Sequence, residues 1–134
     1  MESRAVRFLA CGMLCFVALQ PAFTQHMNEP ESACAKVVIT AELSASLVNA
    51  YKSSDTTLNT VYEKIRTTLD AAEPKQLTEA QRLWIQYRDA NCTAERDLYE
   101  GGTASFPAHE ACLEAMTRQR TAEVCVTYAV RLKD

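Results

Sequence analysis

Glycine and proline are scarce in this 134-residue chain, at 3 and 4 residues. That scarcity excludes a collagen-like or low-complexity chain, and a hydrophobic content of 48% suits one packed domain. Histidine is nearly absent too, with two residues, and no Cys-x-x-Cys pair occurs. His109-Glu110-Ala111-Cys112 with Cys92 is therefore a poor zinc set, and no metal or other cofactor is expected. No basic run exists that would neutralise a row of phosphates, and 14 Lys+Arg stand against 17 Asp+Glu, so nucleic acid is not an expected partner. A Gly-x-Ser-x-Gly elbow, a phosphate loop and the second histidine of a zinc-protease helix are all missing, which argues against an enzyme. Glu110 and Glu114, one helical turn apart, read as a solvated face rather than as an acid–base pair.

What the chain does have begins with an export pattern. Arg4 and Arg7 precede an uncharged apolar stretch, Phe8 to Leu19, and then Gln20-Pro21-Ala22-Phe23-Thr24 with small residues suited to signal peptidase. The stretch has twelve residues, whereas a membrane span needs about 20, so the expectation is a signal peptide over 1–24 and no transmembrane span in the mature protein. Lipid attachment at Cys11 is disfavoured, because the apolar run would lie mostly beyond the modified cysteine. Removal of 1–24 takes Glu2, Arg4 and Arg7 and leaves 12 basic and 16 acidic side chains, a charge of −4. A periplasmic or secreted, acidic product is expected, with Cys34, Cys92, Cys112 and Cys125 as an even set in an oxidising compartment.

The rest reads as all-α: a small disulfide-stapled bundle of three to four helices over 41–134, preceded by an irregular arm over 25–40. Leu43, Leu47, Tyr51, Leu58, Val61, Tyr62, Ile65 and Leu69 recur at helical spacing from Ala41 to Ala72, as one long helix or two collinear ones. Glu73-Pro74 ends that run. Thr78-Glu79-Ala80-Gln81 fits a capping box, which would start a second helix carrying Ala80, Leu83, Trp84, Tyr87, Ala94 and Leu98 until Gly101-Gly102. A third helix begins after Pro107, with Leu113, Met116, Val124, Tyr128 and Leu132 as its apolar positions. Trp84 and Tyr87 read as core at this spacing, and His109 as a surface side chain near a helix start.

Cys112 and Cys125 lie thirteen residues apart on one predicted helix. That is about 20 Å, against the roughly 4.4–6.8 Å between bridged Cα atoms, so they do not pair with each other. Two connectivities remain: Cys92–Cys112 with Cys34–Cys125, or the cross pairing. In an antiparallel helical hairpin, pairing 92 with 112 centres the bend on Gly102, whereas pairing 92 with 125 centres it inside the third helix. The first is preferred. The same register sets Trp84 opposite Arg120 and Arg88 opposite Met116, so a guanidinium stacked on the indole is expected.

The run Ala80-Gln81-Arg82-Leu83-Trp84-Ile85-Gln86-Tyr87-Arg88-Asp89-Ala90-Asn91-Cys92, followed by Tyr99-Glu100-Gly101-Gly102-Thr103, Cys112-Leu113, Thr117, Arg120 and Glu123, resembles the LprI-type lysozyme inhibitor family. Leu77 precedes it, and Asp55, Leu58, Asn59, Tyr62 and Cys34 extend the likeness over most of the mature chain. Members often have a further cysteine twelve residues after the first; Ser46 stands there, which leaves the partner of Cys34 open. The resemblance implies a small exported helical domain that binds and inhibits lysozyme. An acidic domain suits approach to a basic c-type lysozyme. The projecting element would be the turn from Tyr99 to His109, with Tyr99, Glu100, Gly101, Gly102, Phe106 and His109 as partner-binding residues, while Trp84, Arg88, Asp89, Thr117, Arg120 and Glu123 form a structural motif tying helices together. The other reading is a non-catalytic envelope module, binding or structural, for some other protein partner.

Overall fold

A computed structural model of the protein describes residues 40–133. The expected signal segment 1–24 with Cys11, and the arm with Cys34, lie outside the described residues, apart from Thr40, which already belongs to the first helix. The described residues form three α-helices and no strand: α1 (Thr40–Thr68), α2 (Glu73–Asp97) and α3 (Ser105–Thr127), closed by a short 3-10 turn at Ala129–Arg131.

The spacing predicts α1, and it is one continuous helix of 29 residues rather than two. It ends at Thr68, and the chain reverses through Ala71, whose φ of +46° lies in the left-handed region. Proline does not end α1; it opens α2. Pro74 occupies the first turn of α2, where its missing N–H would have had no intrahelical partner. Glu73 supports that start by accepting the Asp70 backbone N–H on Oε2 at 3.0 Å. The expected capping box is therefore not formed. Thr78 lies inside the helix, where its hydroxyl donates to the Pro74 carbonyl at 2.7 Å and meets the Tyr62 hydroxyl at 2.9 Å. Likewise α3 starts at Ser105, two residues before the proline, and its last expected apolar positions, Tyr128 and Leu132, follow the helix rather than belong to it.

α1 and α2 each pack chiefly on α3 and little on each other. The central position of α3 explains why Pro107, Ala108 and every residue from Glu110 to Thr117 are buried, since helices cover it on two sides. α1 runs in the same direction as α3: Leu47 packs with Ala111, Ser54 meets Glu114, and Ile65 packs with Val124. Following α2 forward, its partners on α3 run backward, from Arg120 at Gln81 through Thr117 at Arg88 and Cys112 at Cys92 to Ser105 at Arg96. Leu47, Leu58 and Ile65 are almost fully buried. Each such side chain contributes about 1.5–3 kcal/mol through burial.

Candidate functional site

The turn between α2 and α3 is built from short local hydrogen bonds. Tyr99 N–H donates to the Arg96 carbonyl (3.1 Å), Gly102 N–H to Tyr99 (2.8 Å) and Ser105 N–H to Gly102 (2.9 Å). To close in so few residues the backbone turns left-handed twice, at Glu100 (φ +49°) and Gly101 (φ +77°). Glycine adopts that conformation without penalty, whereas Glu100 is held in it against its own preference. A Cβ at Gly102 would come within 3.1 Å of the Tyr99 carbonyl oxygen, so this position also favours glycine. Glu100, Gly101 and Gly102 are exposed, and Phe106 on the first turn of α3 is 51% exposed. Tyr99 is half-buried, and burial first, then the charge of Glu95, pushes its hydroxyl pKa upward. His109 does not project with these groups: it is half-buried, with Nδ1 3.2 Å from a carboxylate oxygen of Glu110.

Beneath the turn, Cys92 and Cys112 form a disulfide with Cα atoms 5.4 Å apart and no exposure of either residue. The Met116 sulfur lies 3.7 and 3.8 Å from the two bridge sulfurs, and Asn91 Nδ2 donates toward Met116 Sδ (3.5 Å) and Cys112 Sγ (3.6 Å). The half-buried Asn91 amide is thus part of the packing around the bridge. Cys125 is half-buried and bridges no described cysteine; its expected partner Cys34 lies outside the described residues.

Further along the bundle, a polar layer crosses all three helices. The Arg88 guanidinium lies 5.2 Å from the Trp84 ring centroid and 5.6 Å from that of Tyr51, with only 6% of the residue exposed. Its Nε and Nη2 donate to Asp89 Oδ1 at 2.9 and 2.8 Å, Nη1 donates to the Thr117 hydroxyl at 3.3 Å, and Asp55 on α1 stands 3.8 Å away. Arg120 covers Trp84 at 5.7 Å, as the register anticipates, while donating to Gln81 (3.1 Å) and pairing with Glu123 (3.0 Å). Trp84, Arg88, Asp89, Thr117, Arg120 and Glu123 are therefore gathered in one place. Arg88 to Thr117 and Arg120 to Gln81 join α2 to α3, while Asp89 and Glu123 pair with the arginine of their own helix. Burial, as the largest cause, raises the Tyr51 pKa; Arg88 opposes it, and Asp55, Asp89 and Glu110 add to it.

Two expectations fail here for one reason. Glu110 and Glu114 are buried rather than solvated, because α3 is the central helix; Glu114 accepts hydrogen bonds from Ser54 and Arg118, each at 3.2 Å. Tyr87 is not core: it is 61% exposed on the outer side of α2. Sequence reasoning also missed Gln81 and Glu95 as parts of the interior. The one available signal was position, since Gln81, Trp84, Arg88, Cys92 and Glu95 share a helical stripe.

The model of a protein family described as "Lysozyme inhibitor LprI" matches residues 32–124. The chain belongs to this family. The matched span takes in Cys34, the bridged pair and the polar layer, and stops one residue short of Cys125. This LprI-family chain is also 30% identical over 125 residues to an uncharacterized protein of Rhizobium meliloti (strain 1021), covering 84% of this chain and 86% of that protein. No solved structure matches it. Among the described residues, no group of three His, Cys, Asp or Glu side chains is placed to hold a metal, and no helix is long and apolar enough to cross a membrane.

Proposed function

We propose that this LprI-family chain is an extracytoplasmic protein, periplasmic or secreted after loss of residues 1–24, that binds lysozyme and blocks its turnover without catalysing a reaction of its own. The contact element is the bend of an antiparallel helical hairpin, from Tyr99 to His109, stapled at its base by Cys92–Cys112. The observation that carries this reading is the pairing of a family described by lysozyme inhibition with an exposed, rigidly braced turn that displays Glu100 and Phe106. A turn already ordered before contact loses little freedom on binding, so more of its contact energy appears as affinity. Phe106 supplies apolar area, and Glu100 supplies a charge of the sign that a basic c-type lysozyme attracts. His109, turned against Glu110, contributes to the brace more than to the contact.

The test is muramidase turnover in the presence of the oxidised protein, with c-, g- and i-type lysozymes in parallel. Saturable loss of c-type turnover at stoichiometric protein is expected, weakened by Glu100→Lys and by added salt. Loss of activity that ignores Glu100→Lys, Phe106→Ala and salt would move the contact away from this turn. No loss with any lysozyme, together with pull-down of a different envelope protein, would replace inhibition by a binding or structural role.

A further inference from the structure

α2 carries a second surface that the turn does not use. Ala80, Leu83, Tyr87, Ala90 and Ala94 are all exposed and recur at alternating intervals of three and four, a spacing that continues to Asp97. Leu83 and Tyr87 are 51% and 61% exposed, and Leu98, just beyond the helix, is 64% exposed. Neither α1 nor α3 covers this stripe. An apolar stripe repeating every 3.5 residues on average is the pattern by which one helix packs along another.

We infer that this face pairs with the same face of a second copy of the chain, the two α2 helices lying antiparallel about a two-fold axis between residues 88 and 89. In that register Leu83 meets Ala94 of the second copy, Tyr87 meets Ala90 of the second copy, and Ala80 meets Asp97 of the second copy, so each large side chain faces a small one. A shift of one heptad sets Leu83 against Tyr87 and alanine against alanine, which leaves clashes beside holes. Parallel pairing sets Glu79 against Glu79 and Arg82 against Arg82. The antiparallel register instead brings the Glu79–Arg82 ion pair of one copy level with the Arg96–Asp97 pair of the other. A two-fold contact of this kind is self-complementary and closes after two chains. The seam is about 25 Å long, from its length in helical residues, and a seam of that length falls near the ~1,000 Å² lower end of stable interfaces. A reversible dimer at the weak end of specific association, with dissociation in the micromolar range, is the expectation for so narrow a contact.

Sedimentation velocity of the oxidised protein, its free thiols alkylated, tests this. Dimer is expected at about 100 μM and monomer at about 1 μM, the range that a micromolar constant spans. Ala90→Glu places a carboxylate at the centre of the seam and should leave monomer throughout. Leu83→Ala opens a hole and Ala94→Leu overfills one, so each should weaken association about tenfold, while the double variant restores large against small and recovers most of the loss. All three positions are exposed; retained helix content and an intact Cys92–Cys112 bridge confirm folding of each variant. Monomer at the highest concentration, association indifferent to Ala90→Glu, or a double variant no better than its parents would each overturn the proposal. None of these outcomes depends on lysozyme binding.

Discussion

The two long faces of α2 are built the opposite way round from an ordinary surface helix. Its inner face buries Gln81, Arg88 and Glu95 beside Leu77 and Cys92, while its outer face exposes Leu83 and Tyr87. Hydrophobicity alone assigns these faces wrongly. What decides them is what each side chain meets: Arg88 goes inward because two rings, a hydroxyl and two carboxylates receive its guanidinium, and a buried cation so supplied with partners avoids most of the penalty of leaving water. Tyr87 and Leu83 stay outside because, among the described residues, neither α1 nor α3 covers them. A polar interior of this kind fixes register, since Arg88 and Arg120 find their acceptors at one setting of the helices only.

The comparison breaks most severely at the bridge. Replacing both Cys92 and Cys112 by serine removes a loop constraint across a sequence separation of 20 residues, and the chain-entropy relation assigns it about 3 kcal/mol, read as a lower midpoint in urea unfolding. Next comes Arg88→Ala. It takes the packing stem and the charge from between Trp84 and Tyr51 and strands the Thr117 hydroxyl; a loss of roughly 2 kcal/mol is expected in the same measurement, with Arg88→Lys recovering only part of it because an ammonium does not cover a ring as a guanidinium does. Tyr51 gives a pH-dependent effect. Its pKa is raised above 10.0 in the folded chain, so the native state holds its proton more tightly than the unfolded one; the associated stability is fully present below pH 10 and is lost as pH rises through the folded value. Tyr51→Phe should flatten the alkaline limb of a stability-versus-pH profile without changing it at neutrality. The smallest effect sharpens the contrast from the other side: Tyr87→Ser, measured on dilute protein, should shift unfolding by no more than about 0.5 kcal/mol, because that ring is 61% exposed among the described residues. A large loss there would show that the outer face of α2 is covered after all.

Much of the scaffold was legible in the chain. The three-and-four spacing from Leu43 to Leu69 gave α1, the cysteine separations gave the Cys92–Cys112 bridge, and the same register brought Arg120 to Trp84. Helix starts were less legible. Thr78 and Gln81 have the right chemistry for a cap, yet a proline six residues after the end of α1 fits the first turn of a new helix equally well, and local sequence holds no information on which start is used. Glu110 and Glu114 were misplaced for a different reason. Periodicity identifies a buried face only when a helix has one, and α3 is covered on two sides, so carboxylates of a kind usually left in water are enclosed there with Ser54, Arg118 and His109 as neighbours. Of the turn residues, Gly101 and Gly102 were readable as the bend, while the half-burial of His109 against Glu110 was not.

The sequence by itself determined the class of the fold, the positions of its helices to within a few residues, the one bridge among the described cysteines and the family, because each of these follows from near neighbours along the chain or from spacing that a helix converts directly into distance. Only the tertiary structure decided that α3 is the central helix, that α2 hides its arginine and shows its tyrosine, and that the acids of α3 lie inside. Burial of a charge depends on which partners arrive from elsewhere in the chain, and residues as far apart as Asp55, Arg88 and Thr117 meet only once the helices have packed.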